Sequence, residues 1–214
     1  METPQDKYIR EHSSVPSEAL AWVEKQTNLK TNYPRMLSGA VQGELLYLLA
    51  RMCSARDILE IGCFTGYSTI CLAKAVQDRD GHVDSLEIND ELEDIILEGW
   101  QKAGVQDTAQ LHLGDALETI SRLEAEGKMY DLVYIDANKR EYAAYYRALQ
   151  PLLKSGSVIL ADDTMLGGKV YQDPVPSDKQ TAGLVEFNDL VTADPSAEVV
   201  ILPLRDGLSI IRKK

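Results

Sequence analysis

The sequence has few cysteines, and their spacing argues against a disulfide framework. Only 3 cysteines occur in 214 residues, and Cys53, Cys63 and Cys71 form no Cys-x-x-Cys pair. An odd number of isolated cysteines is typical of a reduced, intracellular protein in which each thiol packs as a small apolar side chain. We therefore do not expect a secreted domain held together by disulfides.

Long apolar runs are also missing. No stretch approaches the roughly eighteen apolar residues that a membrane-spanning helix needs. The first residues, METPQDKYIREHSS, are polar and lack the apolar centre of a signal peptide. We therefore expect a cytoplasmic protein that does not enter a membrane.

Basic side chains are outnumbered by acidic ones. The chain has 22 Lys and Arg against 34 Asp and Glu, which gives a formal net charge of -12. This charge opposes general binding to nucleic acid or to anionic membranes, although a local site can still accept a small anion. Histidine is scarce as well, and His12, His82 and His112 are too scattered to indicate a catalytic triad or a zinc site.

No repeat, low-complexity segment or linker divides the chain, so its length predicts one domain over residues 1–214. Residues 1–40 are polar and helical in pattern, and we expect them to cover a site. A helix with a wide, buried apolar face is expected over 43–53. Residues 167–183 combine glycines, prolines and charges, which predicts a mobile loop on the acceptor side of that site.

Strand and helix patterns alternate through the middle of the chain. Apolar strand patterns begin near residues 57, 82, 109, 130 and 157, and a helical pattern follows each of the first four, the last of them over 139–156. The chain then ends in two apolar segments joined by Arg205-Asp206-Gly207, a hairpin signal. The prediction is a Rossmann-like α/β fold: a doubly wound, mostly parallel seven-stranded sheet with an antiparallel C-terminal hairpin and helices on both faces.

An acidic residue lies at the carboxyl end of every predicted parallel strand. Sheets of this kind bind their ligands at that edge. The turn after the first strand contains Gly62 and Gly66, but not the G-x-G-x-x-G spacing of a dinucleotide site. Glu60 would repel a pyrophosphate and attract an amine, and Glu87 suits ribose hydroxyls. This pair favours S-adenosylmethionine over a nicotinamide dinucleotide, which leaves an oxidoreductase as the rival interpretation.

The chain resembles class I S-adenosylmethionine-dependent O-methyltransferases, in particular the cation-dependent branch that includes caffeoyl-CoA and catechol O-methyltransferases. Four ordered segments carry the resemblance: ILEIGCFTGYSTICLA, VDSLEIND, YDLVYIDANKREYAAYY and GSVILADD. It implies a vicinal-dihydroxy aromatic acceptor and a homodimer. The implied cofactor-binding residues are Met36, Ser38, Glu60, Gly62, Cys63, Ser68, Glu87, Ala116 and Asp136. Within this set, Glu60 would bind the methionine amine, Glu87 the ribose and Ala116 the adenine.

The resemblance also implies a metal site made of Asp136, Asp162 and Asp163, with Lys139 as the base that deprotonates the acceptor. Three carboxylates in one cleft repel one another, and a divalent cation removes that repulsion. Oxygen-only ligands favour Mg²⁺, with Mn²⁺ or Ca²⁺ as substitutes. Near such a cation, the pKa of Lys139 is expected to fall.

The sequence departs from the family pattern at three places. Asp163 stands where the family usually has asparagine, Asn138 where plant relatives often have aspartate, and Thr164-Met165-Leu166 where a tryptophan is usual. These differences leave open which acceptor is used. They also leave open a metal-independent or N-methylating enzyme, or a non-catalytic protein that binds S-adenosylmethionine.

Overall fold

One mixed sheet forms the centre of the protein. The structure is a computed structural model and describes residues 3–214. The strands are β1 Asp57–Ile61, β2 His82–Glu87, β3 Ala109–Leu113, β4 Tyr130–Ile135, β5 Leu153–Ala161, β6 Ala197–Leu202 and β7 Leu208–Lys213.

The order of the strands across the sheet is β3-β2-β1-β4-β5-β7-β6. The first five strands pair in parallel, and β7 pairs antiparallel with both β5 and β6. Strands β2 and β3 follow on one side of β1, and β4 and β5 on the other, so the strand order switches between β1 and β4. Doubly wound sheets bind ligands at such a switch. The predicted fold, including the antiparallel hairpin, is confirmed.

Helices cover both faces of the sheet. They are α1 Pro4–Glu11, α2 Glu18–Lys30, α3 Gly39–Met52, α4 Tyr67–Val76, α5 Glu93–Ala103, α6 Ala116–Ala125, α7 Tyr142–Leu149 and α8 Lys179–Ala193. Buried side chains of α2 to α5 form one apolar core, and those of α6 to α8 form the other. Among the helices of residues 3–214, none has the length and apolar character needed to cross a membrane.

Several expected boundaries are corrected by the structure. The helix expected over 139–156 ends at Leu149, because Pro151 lacks the N–H that a further helical turn requires, and Leu153 already belongs to β5. The loop expected over 167–183 ends at Asp178, whose side chain caps α8 by accepting the Thr181 N–H.

The N-terminal region contributes to the cleft described below through residues 36–38. No residue of α1 is buried, and the expectation that residues 1–40 cover the site stays a prediction. Helix α3 forms as predicted, but its apolar face is only partly covered, since Leu48 is 46% and Met52 is 70% exposed. Cys53 is exposed too, whereas Cys63 and Cys71 pack in the core as expected.

Candidate active site at the carboxyl edge of the sheet

The turn between β1 and α4 forms the floor of a cleft. Gly62 has φ +88°, and a Cβ at this position would lie 2.4 Å from the carbonyl oxygen of Asp136. Only glycine therefore lets the ends of β1 and β4 approach so closely. Gly66, with φ +80°, then caps the start of α4. The turn therefore places the predicted cofactor-binding residues Gly62 and Cys63 close to Asp136, one of the three predicted metal ligands.

Residues from three parts of the chain line this cleft. They are Met36, Leu37, Ser38, Gly62, Cys63, Phe64, Tyr67, Ser68 and Asp136. The structure thus brings together most of the predicted cofactor-binding residues, including the two from the N-terminal segment. Leu37, Phe64 and Tyr67 were not predicted, although Phe64 and Tyr67 lie in the turn that the sequence had already indicated.

Glu60 lies beneath the cleft rather than on its surface. Its side chain is fully buried, and Oε2 accepts hydrogen bonds from the hydroxyl groups of Thr69 and Ser85, the latter at 2.5 Å. Burial raises the pKa of this carboxyl to about 7, against the opposing effect of the neighbouring hydroxyl groups. The other oxygen, Oε1, has no hydrogen-bond partner among residues 3–214. A donor from a ligand would satisfy it.

Glu87 and Ala116 also lie outside the lining of the cleft. Glu87 ends β2, and its carboxylate accepts the backbone N–H of Phe64 at 2.7 Å and that of Asn89 at 2.9 Å. It therefore shapes the cofactor loop, and burial raises its pKa above the ordinary value. Ala116 is the first residue of α6, at the same edge of the sheet.

Asp136, Asp162 and Asp163 converge as predicted. They follow the paired strands β4 and β5, in which Ile135 is level with Ala161, and one carboxylate oxygen from each lies within 4.8 Å of the others. Asp162 is 2% exposed, and its Oδ1 has no hydrogen-bond partner among residues 3–214. Burial first, and then the charges of Asp136 and Asp163, raise the pKa of Asp162 above its ordinary value.

Lys139 is bound to two of the three carboxylates. Its Nζ lies 2.7 Å from Asp136 Oδ1 and 3.0 Å from Asp163 Oδ2. Burial opposes the ammonium charge, but the negative charges around it, including those of Asp136 and Asp163, outweigh burial and raise its pKa. These are the surroundings of Lys139 without a cation, so the expected fall of its pKa beside a cation stays a prediction.

The tyrosines after β4 support the site from behind. Tyr142, Tyr145 and Tyr146 are buried in the core, where they pack among apolar side chains. The Tyr142 hydroxyl lies 3.0 Å from the carbonyl oxygen of Asp162 and 3.3 Å from that of Ile135, so it braces the ends of β5 and β4.

Tyr171 and Lys169 of the loop after β5 lie apart from the cleft. Tyr171 is 71% exposed, and Lys169 forms an ion pair with Asp178 at 3.5 Å. Neither residue is part of the cleft lining.

Two residues at the site were missed from the sequence. Gln42 of α3 donates to Asp162 at 2.7 Å, and Arg205 of the β6–β7 turn bonds to Gln42 at 3.0 Å. No local signal marks either residue, because each is 120 or more positions away from its partner in the chain.

Comparison with known proteins identifies the family. The sequence profile of the O-methyltransferase family matches residues 10–214. The chain belongs to this family. This confirms the resemblance and the predicted enzyme class.

Relatives of this O-methyltransferase are similar along nearly their whole length. A caffeoyl-CoA O-methyltransferase of Eucalyptus gunnii is 34% identical over 97% of this chain and 86% of its own. The Streptomyces achromogenes O-methyltransferase TomG, involved in tomaymycin synthesis and solved in complex with S-adenosylmethionine, has a TM-score of 0.93 at 30% identity, covering 100% of this chain and 97% of its own. A Bacillus cereus O-methyltransferase, solved in complex with S-adenosylhomocysteine, has a TM-score of 0.93 at 29% identity, covering 100% and 98%.

Proposed function

We propose that this O-methyltransferase uses S-adenosylmethionine bound in the cleft between residues 36–38 and the β1–α4 turn. The cleft is formed by Met36, Ser38, Gly62 and Ser68, and the Asp136 carboxylate stands at its end. The cofactor carries an amine and a sulfonium, and this acidic environment suits both. The complexes of the two similar bacterial enzymes with this cofactor or its product support the proposal.

The acceptor oxygen is proposed to be activated beside a divalent cation held by Asp136, Asp162 and Asp163. The observation that carries this proposal is the convergence of three carboxylate oxygens within 4.8 Å. Two oxygens bound to one cation are separated by at most twice the metal–oxygen distance, which is about 4.2 Å for Mg²⁺ and about 5 Å for Ca²⁺. The carboxylates are therefore spaced for Ca²⁺ and need to close only slightly to bind Mg²⁺. Asp162 Oδ1, which has no hydrogen-bond partner among residues 3–214, would supply a buried ligand atom. A bound cation would lower the pKa of a coordinated hydroxyl group.

Lys139 is proposed to receive the acceptor proton. The carboxylates that hold its ammonium are the same ones that would bind the cation, so sharing them weakens the hold on the lysine proton. Lys139 then lies at the junction of cofactor cleft and carboxylates, within reach of an oxygen bound there. The acceptor is a small aromatic molecule with two adjacent hydroxyl groups, a class consistent with the caffeoyl-CoA relatives.

Methyl transfer from labelled cofactor tests the mechanism. We expect transfer to catechols, caffeoyl-type esters or hydroxylated flavonoids in the presence of Mg²⁺, loss of transfer after chelation with EDTA, and recovery when the cation is restored. Acceptors with a single hydroxyl group should react poorly. Undiminished transfer after thorough chelation would refute the cation-dependent mechanism.

A metal-independent O-methyltransferase is the second candidate, and the Lys139 ion pairs favour it. The ammonium of Lys139 already lies between Asp136 and Asp163 and could offset part of their charge without an ion. In that case, EDTA leaves activity unchanged and Lys139→Ala abolishes it. Under the cation-dependent mechanism, both treatments reduce activity.

A homodimer is proposed as well. Supporting it, the edge strand β6 exposes three apolar side chains: Val199 is 38%, Val200 51% and Ile201 40% exposed. An apolar sheet edge that stays open invites pairing with another chain.

A further inference from the structure

Arg205 holds the segment that forms one wall of the cofactor cleft. Its guanidinium Nη1 donates to the backbone carbonyl of Ser38 at 2.6 Å and to that of Leu37 at 3.2 Å, and Nη2 donates to that of Arg35 at 3.4 Å. Leu37 and Ser38 both line the cleft. The β6–β7 turn therefore fixes the backbone of the cleft wall through hydrogen bonds from a charged group.

The same guanidinium group also fixes the orientation of a buried amide. Nη1 of Arg205 lies 3.0 Å from Oε1 of Gln42, and Nε2 of Gln42 donates to Asp162 Oδ2 at 2.7 Å. A reversed amide would place Oε1 against the Asp162 carboxylate and the NH₂ group against the guanidinium of Arg205. Both contacts would be repulsive, so the two charges permit one orientation only.

The orientation of Gln42 determines which oxygen of Asp162 stays free. Gln42 and the hydroxyl of Tyr134, which accepts from Nε2 of Gln42 at 2.8 Å, lie on the Oδ2 side of Asp162. Oδ1 is buried and has no hydrogen-bond partner among residues 3–214. With Oδ2 held by Gln42, Oδ1 is the oxygen of Asp162 that is left for a further partner.

We infer that Arg205 is a positioning residue that acts on both halves of the active site. Through Gln42 it holds Asp162 so that Oδ1 is presented to the cation, and through three carbonyls it holds the wall of the cofactor cleft. Arg205 lies on the β6–β7 turn and is not among the residues that line the cleft. This inference rests on the cation site of the proposed function.

Binding measurements without an acceptor test the inference. Mn²⁺ affinity is followed by electron paramagnetic resonance, and S-adenosylhomocysteine affinity by titration calorimetry. We expect Arg205→Ala to weaken both, with Mn²⁺ affinity falling by roughly tenfold or more, since hydrogen-bond partners of metal ligands contribute to affinity on this scale. Gln42→Leu should weaken Mn²⁺ with less effect on S-adenosylhomocysteine.

The double variant Gln42→Leu/Arg205→Ala tests whether Arg205 affects Mn²⁺ affinity through Gln42 or independently of it. If Arg205 acts on Asp162 through Gln42, Arg205→Ala should add little to the loss of Mn²⁺ affinity in Gln42→Leu. Arg205→Lys keeps the charge but lacks the planar group that reaches several acceptors, so it should restore binding only in part.

Arg212→Ala is the matched control, because Arg212 is an exposed arginine of the same hairpin, paired with Glu198 at 3.1 Å. It should bind both ligands as the wild type does, and thermal unfolding should show that all variants are folded at the measuring temperature. Mn²⁺ binding by Arg205→Ala at wild-type strength, or additive losses in the double variant, would overturn the inference. A wild-type protein that binds no Mn²⁺ would instead refute the proposed cation site, and the inference with it.

Discussion

At the scale of single residues, Asp162 and Asp163 carry the same side chain but lie in different environments. Asp162 continues β5 and is buried, with Oδ2 held by Gln42. Asp163 turns away with φ +58°, and its side chain is 29% exposed and paired with Lys139. In the proposed cation site, Asp162 would therefore be the fixed ligand, and Asp163 would exchange Lys139 for the cation.

Asp163→Asn tests the charge at the position where the sequence departs from the family. An amide oxygen can still be a ligand, but the site loses one negative charge, and cation affinity depends on ligand charge. We expect Mn²⁺ affinity to fall roughly tenfold, ~1.4 kcal/mol. Asp178→Asn, which changes an exposed partner of Lys169 outside the cleft, is the control. Unchanged cation affinity and turnover would show that the charge of Asp163 contributes nothing to a cation site.

Glu60→Gln tests the buried carboxyl beneath the cleft. The pKa of Glu60 is about 7 in the folded protein against an ordinary value of 4.5. Between these pH values the unfolded chain releases the proton while the folded protein retains it. The free energy of unfolding therefore falls as pH rises, by about 3 kcal/mol in total.

The glutamine variant should lack this fall, so its stability relative to the wild type should increase between about pH 4.5 and about pH 8. Urea unfolding across this range measures the effect, and Glu118→Gln on the exposed side of α6 is the control. Parallel pH profiles for wild type and Glu60→Gln would contradict the prediction. The same variant should bind S-adenosylhomocysteine more weakly if Glu60 receives the amine.

At the scale of elements, the site depends on how closely two strand ends approach. The backbone N–H of Asp136 donates to Ile61 at 2.9 Å, and that of Asp162 donates to Ile135 at 2.9 Å. The ladder thus continues one residue beyond β4 and β5 and places the two aspartates side by side. Gly62 follows β1 directly, and a side chain at this position would clash with the carbonyl oxygen of Asp136.

Gly62→Ala tests this close approach. The added Cβ would lie 2.4 Å from the Asp136 carbonyl oxygen, so the strand ends must separate. We expect a loss of about 3 kcal/mol in the free energy of unfolding, from backbone strain together with overpacking, and weaker S-adenosylhomocysteine binding.

Gly156→Ala is a matched control, since Gly156 has φ +90° but no atom within 4 Å of its would-be Cβ. Gly156→Ala strains the backbone without creating a clash. It should therefore lower the free energy of unfolding less than Gly62→Ala does, and it should leave ligand binding unchanged. Equal losses of stability in the two variants would show that the contact with Asp136 does not matter.

Element types were predictable, but several boundaries were not. The alternation of apolar segments predicted the parallel strands, and the Asp-Gly signal predicted the hairpin. The apolar stripe of the helix after β4 continues to Leu153 and predicts a longer helix than the structure has. Pro151 prevents that continuation. The exposure of Leu48 and Met52 depends on what packs against α3, which periodicity does not specify.

At the scale of the whole molecule, the C-terminal hairpin folds back on the N-terminal segment. Arg205 bonds to residues 163 to 170 positions earlier in the chain. The wall of the cleft that contains Leu37 and Ser38 is therefore held by hydrogen bonds from Arg205, far along the chain. These bonds require the C-terminal hairpin to be in place in the sheet.

The oligomeric state is a prediction at this scale. We expect a mass of about twice the 23.8 kDa of one chain in light scattering. Val200→Lys should yield monomers if β6 forms the interface, because it places a charge in an apolar contact. Leu97→Lys, at a 45% exposed position on α5, is the control. A wild-type protein of single-chain mass would refute the dimer.

The sequence by itself determined the fold class, the family and the meeting of three aspartates, because these depend on local patterns and on strand ends that must meet at one edge. Only the tertiary structure decided that Glu60 lies beneath the cleft, that Lys139 is bound by two carboxylates, and that Arg205 and Gln42 hold Asp162. Such contacts join residues far apart in the chain. Burial and hydrogen bonding at these positions therefore exist only once the sheet and helices have packed.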